Sequence, residues 1–146
     1  MKLLVPLDLS DATDKVLEVV RRTVRATGAQ VWLLHVAEPD PAFVGYEAGP
    51  AVVRDQVAAE YRGQHEQLQA HARQLREEGI DVTALLVQGP SAATILAEAD
   101  RLEAGLIVMA THGHGAMFDL LVGSVSHAVL RHSPIPVLLV PARTHA

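Results

Sequence analysis

Five short apolar runs, separated by stretches of helical spacing, constrain this chain more than any other feature. They lie in Lys2–Asp8, Val31–Val36, Asp81–Gln88, Gly105–Thr111 and Val137–Val140. A run of Val, Leu and Ile without polar alternation suits a strand buried on both faces, which is the situation of a parallel sheet. Between the runs the period changes. Ser10 or Asp11 is placed to cap a helix whose apolar positions Val16, Leu17, Val20 and Val24 share one face, with Gly28 ending it. A long polar helix is expected from about Ala51 to Glu78, its inner stripe being Val57, Tyr61, Leu68, Ala72 and Leu75. Further helices are expected from Ser91 to Glu103 and from about Gly123 to His132, the last broken by Ser133-Pro134-Ile135-Pro136. The stretch from Glu38 to Pro50 holds three prolines and two glycines and reads as a loop. Strands alternating with helices require right-handed crossovers. The expected fold is α/β, one domain over residues 1–146: an open five-stranded parallel sheet of order 3-2-1-4-5 with helices on both faces. In that order the winding reverses between strands one and four. Ligands bind at the carboxyl edge of such a reversal, where Asp8 and the loop from Ala110 to Gly115 meet.

Composition narrows the function classes. With 49% hydrophobic residues but only 3% aromatic, the core must be built from aliphatic side chains, and base-stacking platforms are disfavoured. A formal net charge of −5 leaves no broad basic face for a nucleic-acid backbone. Cysteine is absent, which removes disulfides, thiol catalysis and cysteine-type zinc sites and makes a cytoplasmic location the expectation. Neither a signal peptide nor a membrane span is expected, because no apolar run is long enough.

The stretch Gly105–His127 carries the chemistry. Leu106-Ile107-Val108-Met109 reads as a central strand, and Gly113 and Gly115 follow it in a flexible loop. Glycines there let backbone N–H groups approach a ligand without Cβ interference. Gly123 and Ser124 then open a helix, with Ser124 the expected N-cap and the first N–H groups an anion site. The span between Gly113 and Gly123 exceeds the two to six residues usual for a structural connection. A bound ligand accounts for the excess.

These residues resemble the universal stress protein family, and the resemblance covers essentially the whole chain. Its ATP-binding branch has a motif of glycine, two residues, glycine, nine residues, glycine, then serine or threonine. Here Ala110-Thr111-His112-Gly113, the nine residues His114 to Val122, and Gly123-Ser124 match it except at the first glycine. Val5-Pro6-Leu7-Asp8, Leu34-His35-Val36 and the C-terminal stretch from Val125 to Val140 fit the same family. The resemblance implies a Rossmann-like fold and an ATP site, with Mg2+ as an accompanying ion. Asp8, beside Pro6 and Leu7, would meet the adenosine moiety; Val36 would meet adenine. Met109, Ala110, Gly113, His114, Gly115, Gly123, Ser124 and Val125 would border the phosphates. A carboxylate suits a ribose hydroxyl, and backbone donors suit anionic oxygens. Two departures carry physical consequences. Ala110 would cost roughly 1–2 kcal/mol if its backbone had to be left-handed. His114-Gly115 stands where relatives place Arg or Lys and then Ser or Thr, so phosphate attraction should be weaker and should rise as the imidazole is protonated.

No catalytic arrangement is evident. The chain has no Walker lysine, Gly-x-Ser-x-Gly elbow or cysteine nucleophile, so an enzyme is not expected, slow hydrolysis of bound ATP aside. His112-x-His114 lacks a third ligand nearby, and no metal site is assigned. The expectation is a nucleotide-binding regulatory module; a relative that binds no nucleotide and works through protein contacts is the alternative. Val137-Leu138-Leu139-Val140 is apolar and falls at the sheet edge, which predicts a homodimer through that strand.

Overall fold

The first strand, β1 (Lys2–Pro6), occupies the middle of the sheet, and its side chains divide the core in two. Alternate residues of a strand point to opposite faces. Leu3 and Val5 accordingly enter one apolar cluster and Leu4 the other. The computed structural model describes residues 1–38, 51–112 and 122–142, with the side chains of 51–54 set aside. The order is β1, α1 (Thr13–Thr27), β2 (Gln30–Ala37), α2 (Ala51–Glu77), β3 (Val82–Gln88), α3 (Ser91–Leu102), β4 (Leu106–Ala110), α4 (Ser124–His132) and β5 (Val137–Val140). All four strand pairings are parallel, and the order across the sheet is β3-β2-β1-β4-β5, as the sequence predicts.

Helices cover both faces. Val16, Leu17 and Val20 of α1, with Leu68, Ala72 and Leu75 of α2, pack on the side of Leu3, Val5 and Val108. Ile95, Ala99 and Leu102 of α3, with Val129 of α4, pack on the side of Leu4, Leu34 and Ile107. Burying a side chain of this size stabilises by about 1.5–3 kcal/mol relative to exposure. The C-terminus of α1 follows a local rule. Gly28 adopts φ 68° and returns its N–H to the Val24 carbonyl, the left-handed termination expected of glycine.

Two local expectations are corrected. Neither Ser10 nor Asp11 caps α1, which starts one residue after Ala12 with no side-chain cap. The Ser10 hydroxyl accepts the Ala12 N–H at 3.3 Å and Asp8 accepts the Ser10 N–H at 3.1 Å. These side-chain turns compete with helix for the same residues and delay its start. The inner stripe of α2 is real only in its second half. Leu68, Ala72 and Leu75 are fully buried, whereas Tyr61 is exposed and Val57 half-buried. The loop from Glu38 to Pro50 lies outside the described residues after Glu38. Among the described residues, no helix is long and apolar enough to cross a membrane.

Candidate functional site

β1 pairs with β2 on one side and β4 on the other, so the winding reverses between β1 and β4. Leu7 prolongs β1 by one bond, its N–H donating to the Leu34 carbonyl at 2.8 Å. Its own carbonyl lies 2.7 Å from His35 Nδ1. A carbonyl can only accept, so the proton belongs on Nδ1 of this buried imidazole. His35 thereby ties the end of β1 to β2 just before Asp8. Asp8 is half-buried, and Leu9 after it takes φ 61°, a left-handed conformation that is uncommon outside glycine. The Asp8 carboxylate accepts the Ser10 N–H rather than capping α1, which orients it at the carboxyl edge.

Apolar residues at the strand ends divide between the two core clusters. Leu7 and Ala110 belong with the α1 cluster. Val36, Met109 and Val125 belong with the α3 and α4 cluster, so three residues from separate parts of the sequence meet on one side. Pro6 is half-buried at the end of β1.

The opposite wall starts at the end of β4. Ala110 is the last residue of that strand, pairs with Val140 and is not left-handed. The cost tied to its Cβ therefore does not arise. Its carbonyl accepts the Ser126 hydroxyl at 2.7 Å, a bond from the first turn of α4 back to the strand. Thr111 follows with a junction of its own. Its N–H donates to Val140 O at 2.9 Å, and its carbonyl accepts the Gly123 N–H at 2.6 Å. Its hydroxyl accepts the Ala142 N–H at 3.2 Å and lies 3.0 Å from His112 Nδ1. Lys15 of α1 donates to the Ala142 carbonyl at 3.1 Å. Strand end, helix start and the segment after β5 are thus held together through one residue, by its backbone and its hydroxyl.

Gly123, not Ser124, is the N-cap of α4. Its carbonyl accepts the first intrahelical bond, from His127 N–H at 2.8 Å, while its φ of −71° and ψ of 167° remain extended. Ser124 is the first helical residue and is exposed, with no side-chain cap bond on the helix. Helix geometry leaves the N–H groups of Ser124, Val125 and Ser126 without an i−4 carbonyl. These converge with the positive end of the helix dipole. At Gly123 the constraint on a side chain is space rather than φ. A Cβ there would sit 3.3 Å from the Thr111 carbonyl and 3.6 Å from His112 Cα.

Gly113, His114 and Gly115 lie outside the described residues. Thr111, Ser126 and His35 have structural roles at the site that sequence reasoning did not assign. Of these only Ser126 carried a signal, a second serine in the first turn of a helix where hydroxyls bond backward or cap. Among the described residues, no group of three His, Asp or Glu side chains could hold a metal ion.

The comparisons with known proteins show the family and the fold. The chain is 34% identical over 144 residues to the universal stress protein in the QAH/OAS sulfhydrylase 3′ region of Thermus aquaticus, covering 94% of this chain and 96% of that one. Its fold is similar to the solved structure of hypothetical protein MJ0577, with TM-score 0.82 and 26% identity over 99% of this chain and 97% of that chain. Two more distant structures share the fold: the Archaeoglobus fulgidus universal stress protein in complex with dAMP, and a universal stress protein in complex with cAMP. Their TM-scores are 0.67 and 0.63, at 22% and 21% identity; the first covers 96% of this chain and 97% of that one, the second 98% of each. The sequence profile of the universal stress protein family matches residues 1–141, and the chain belongs to that family.

Proposed function

We propose that this protein is a cytoplasmic, non-enzymatic regulatory module that binds an adenine nucleotide, ATP with Mg2+ in the first instance, and acts as a homodimer. The observation that carries the reading is the start of α4. Three N–H groups without intrahelical acceptors stand where the Gly123 N–H anchors the helix to the end of β4. That arrangement suits a polyphosphate, because backbone donors and the helix dipole act together on a negative charge. Structural neighbours in complex with dAMP and cAMP support an adenine nucleotide as the ligand class.

In this reading the Asp8 carboxylate accepts a ribose hydroxyl, with Pro6 and Leu7 beside it, and Val36 lies against adenine. Ser124 gives its hydroxyl and its N–H to the phosphates and Val125 its N–H, and the glycines Gly113, Gly115 and Gly123 keep the backbone accessible to them. Met109 and Ala110 form the strand end beneath. His114 adds charge only when protonated, so nucleotide binding tightens as pH falls through the imidazole range. Mg2+ would be carried by the phosphates, neutralising part of their charge. β5, an edge strand next to β4, supplies the dimer contact.

Mass spectrometry of nucleotide released from the purified protein by denaturation tests the reading. Adenine nucleotide in near-equimolar amount is expected. A protein that releases none, and takes up none at millimolar concentration, would instead be the interaction module of this family.

A further inference from the structure

We propose that His35 is a positioning residue for the nucleotide: its imidazole holds the peptide plane that carries Asp8, and so sets how strongly the site selects a ribose hydroxyl. The proposal rests on the reading of Asp8 as the ribose acceptor and deepens it by naming what orients that carboxylate.

A buried imidazole in an aliphatic strand needs a reason. β2 runs Gln-Val-Trp-Leu-Leu-His-Val-Ala, and His35 is 8% exposed next to the fully buried Leu33 and Leu34. Taking a ring nitrogen out of water is unfavourable unless a hydrogen bond replaces the one lost, whereas leucine at the same place would carry no such cost. Here the replacement is the bond to the Leu7 carbonyl, 2.7 Å from Nδ1.

The place of that carbonyl in the chain gives the bond its consequence. The Leu7 C=O and the Asp8 N–H belong to one rigid plane that ends at the Asp8 Cα. Leu7 is held to β2 twice, by its N–H on Leu34 O at 2.8 Å and by its carbonyl on His35. Beyond Asp8 the chain turns through Leu9 at φ 61°, and the Ser10 N–H donates to Asp8 Oδ1 at 3.1 Å. Leu7 and Leu9 both pack into the cluster under α1 and α2. A left-handed residue other than glycine persists only where its surroundings over-determine it. Asp8 thus stands between a plane fixed by His35 and a turn fixed by its own carboxylate. A hydrogen bond weakens steeply with misalignment, so a carboxylate whose plane swings would discriminate less between a ribose hydroxyl and its absence.

The geometry also isolates this effect from the rest of the site. Successive strand residues point to opposite faces. Val36, the residue assigned to adenine, accordingly packs in the other cluster, with Met109 and Val125. The start of α4 is anchored on Thr111 of the β4 end, not on β2. Changing His35 therefore leaves the walls given to base and phosphates in place.

Calorimetric titration with ATP, 2′-deoxy-ATP, 3′-deoxy-ATP and inorganic tripolyphosphate tests the proposal in wild type, His35→Leu, His35→Asn, His35→Gln and Asp8→Ala. Asn carries its amide nitrogen on Cγ, as Nδ1 is carried; Gln carries it one carbon farther out. Wild type should bind ATP about ten- to a hundredfold tighter than the deoxy analogue lacking the recognised hydroxyl, the worth of a hydrogen bond to a charged group. Asp8→Ala should remove that preference. His35→Leu should remove it too, with tripolyphosphate affinity unchanged, and should have no further effect on the preference when combined with Asp8→Ala. His35→Asn should keep the preference and His35→Gln lose it, a comparison that decides the matter if the leucine variant does not fold. A His35→Leu protein that retains the wild-type preference, or that weakens ATP, its deoxy analogues and tripolyphosphate alike, overturns the positioning role, as does an Asn variant no better than Gln; the ribose reading of Asp8 then stands on Asp8→Ala alone. A wild type that binds ATP and both deoxy analogues equally, or binds none of them, overturns both.

Discussion

Thr111 joins more of the described part of the candidate site than Gly123 does. Its backbone reaches Val140 and Gly123, and its hydroxyl reaches His112 and Ala142. Replacing it by Val keeps the backbone bonds and the shape but strands the Ala142 N–H. Leaving a part-buried donor without its partner costs about 1–3 kcal/mol, and the midpoint of urea unfolding of Thr111→Val should fall accordingly. Ser124 has no such structural duty. It is exposed at the first position of α4, so Ser124→Ala should leave the unfolding midpoint within experimental error of wild type. Its nucleotide affinity should fall by about 1.5–3 kcal/mol, the worth of a hydrogen bond to a charged group. A loss of stability without loss of affinity would reverse the roles given to this residue. Gly123 illustrates why the choice of variant matters. A side chain there presses on the Thr111 carbonyl before it meets any ligand, so Gly123→Val cannot separate a binding defect from a strained strand end. Much of this was readable in the residues. Strand, glycine and helix start identify the crevice at once, and Ala110 needs no glycine because it is still in β4. The exchange of roles between Gly123 and Ser124 was not readable. Both residue types cap helices, and only the tight bond from Gly123 N–H to Thr111 O selects one.

At the scale of elements, α2 and β5 show where periodicity stops being informative. The apolar spacing of α2 runs through Val57 and Tyr61, yet the first fully buried residue among those described is Leu68. A helix of 27 residues is about 40 Å long, whereas strands of five to eight residues span roughly 17–27 Å. Half of α2 therefore has no sheet beneath it, and no residue pattern announces that mismatch. Leu68→Ala should lower stability by about 2–5 kcal/mol by leaving a cavity under the packed half. Tyr61→Ala, on the exposed half, should change it by less than about 0.5 kcal/mol. Equal losses in urea titrations would contradict this division of the helix. For β5, the edge position and apolar character follow from sequence, but the direction of each N–H needs the β4 register. Leu139→Pro removes a donor facing the open edge and none facing β4, a replacement edge strands tolerate. The variant should retain its helical circular dichroism and sediment as a monomer. A dimer that survives this change does not use the β5 edge.

For the molecule as a whole, the order β3-β2-β1-β4-β5 brings Asp8, Val36, Ala110 and the start of α4 to one edge. No single stretch of sequence contains that site. The meeting of these elements was legible because alternating strands and helices leave few topologies open, and because Asp8, Val36 and Ala110 each fall at the end of an apolar run. The affinity of the site was not legible. The net charge of −5 disfavours an anionic ligand at long range, and attraction has to come from oriented backbone dipoles within the crevice. Calorimetric titration of the wild-type protein with Mg-ATP, paired with thermal unfolding in the same buffer, tests that balance most directly. One nucleotide per chain is expected, with an unfolding temperature that climbs with nucleotide concentration; at one hundred times Kd the gain is about 2.7 kcal/mol. No heat and no stabilisation at millimolar Mg-ATP, ADP or AMP would contradict the assignment of this edge to an adenine nucleotide.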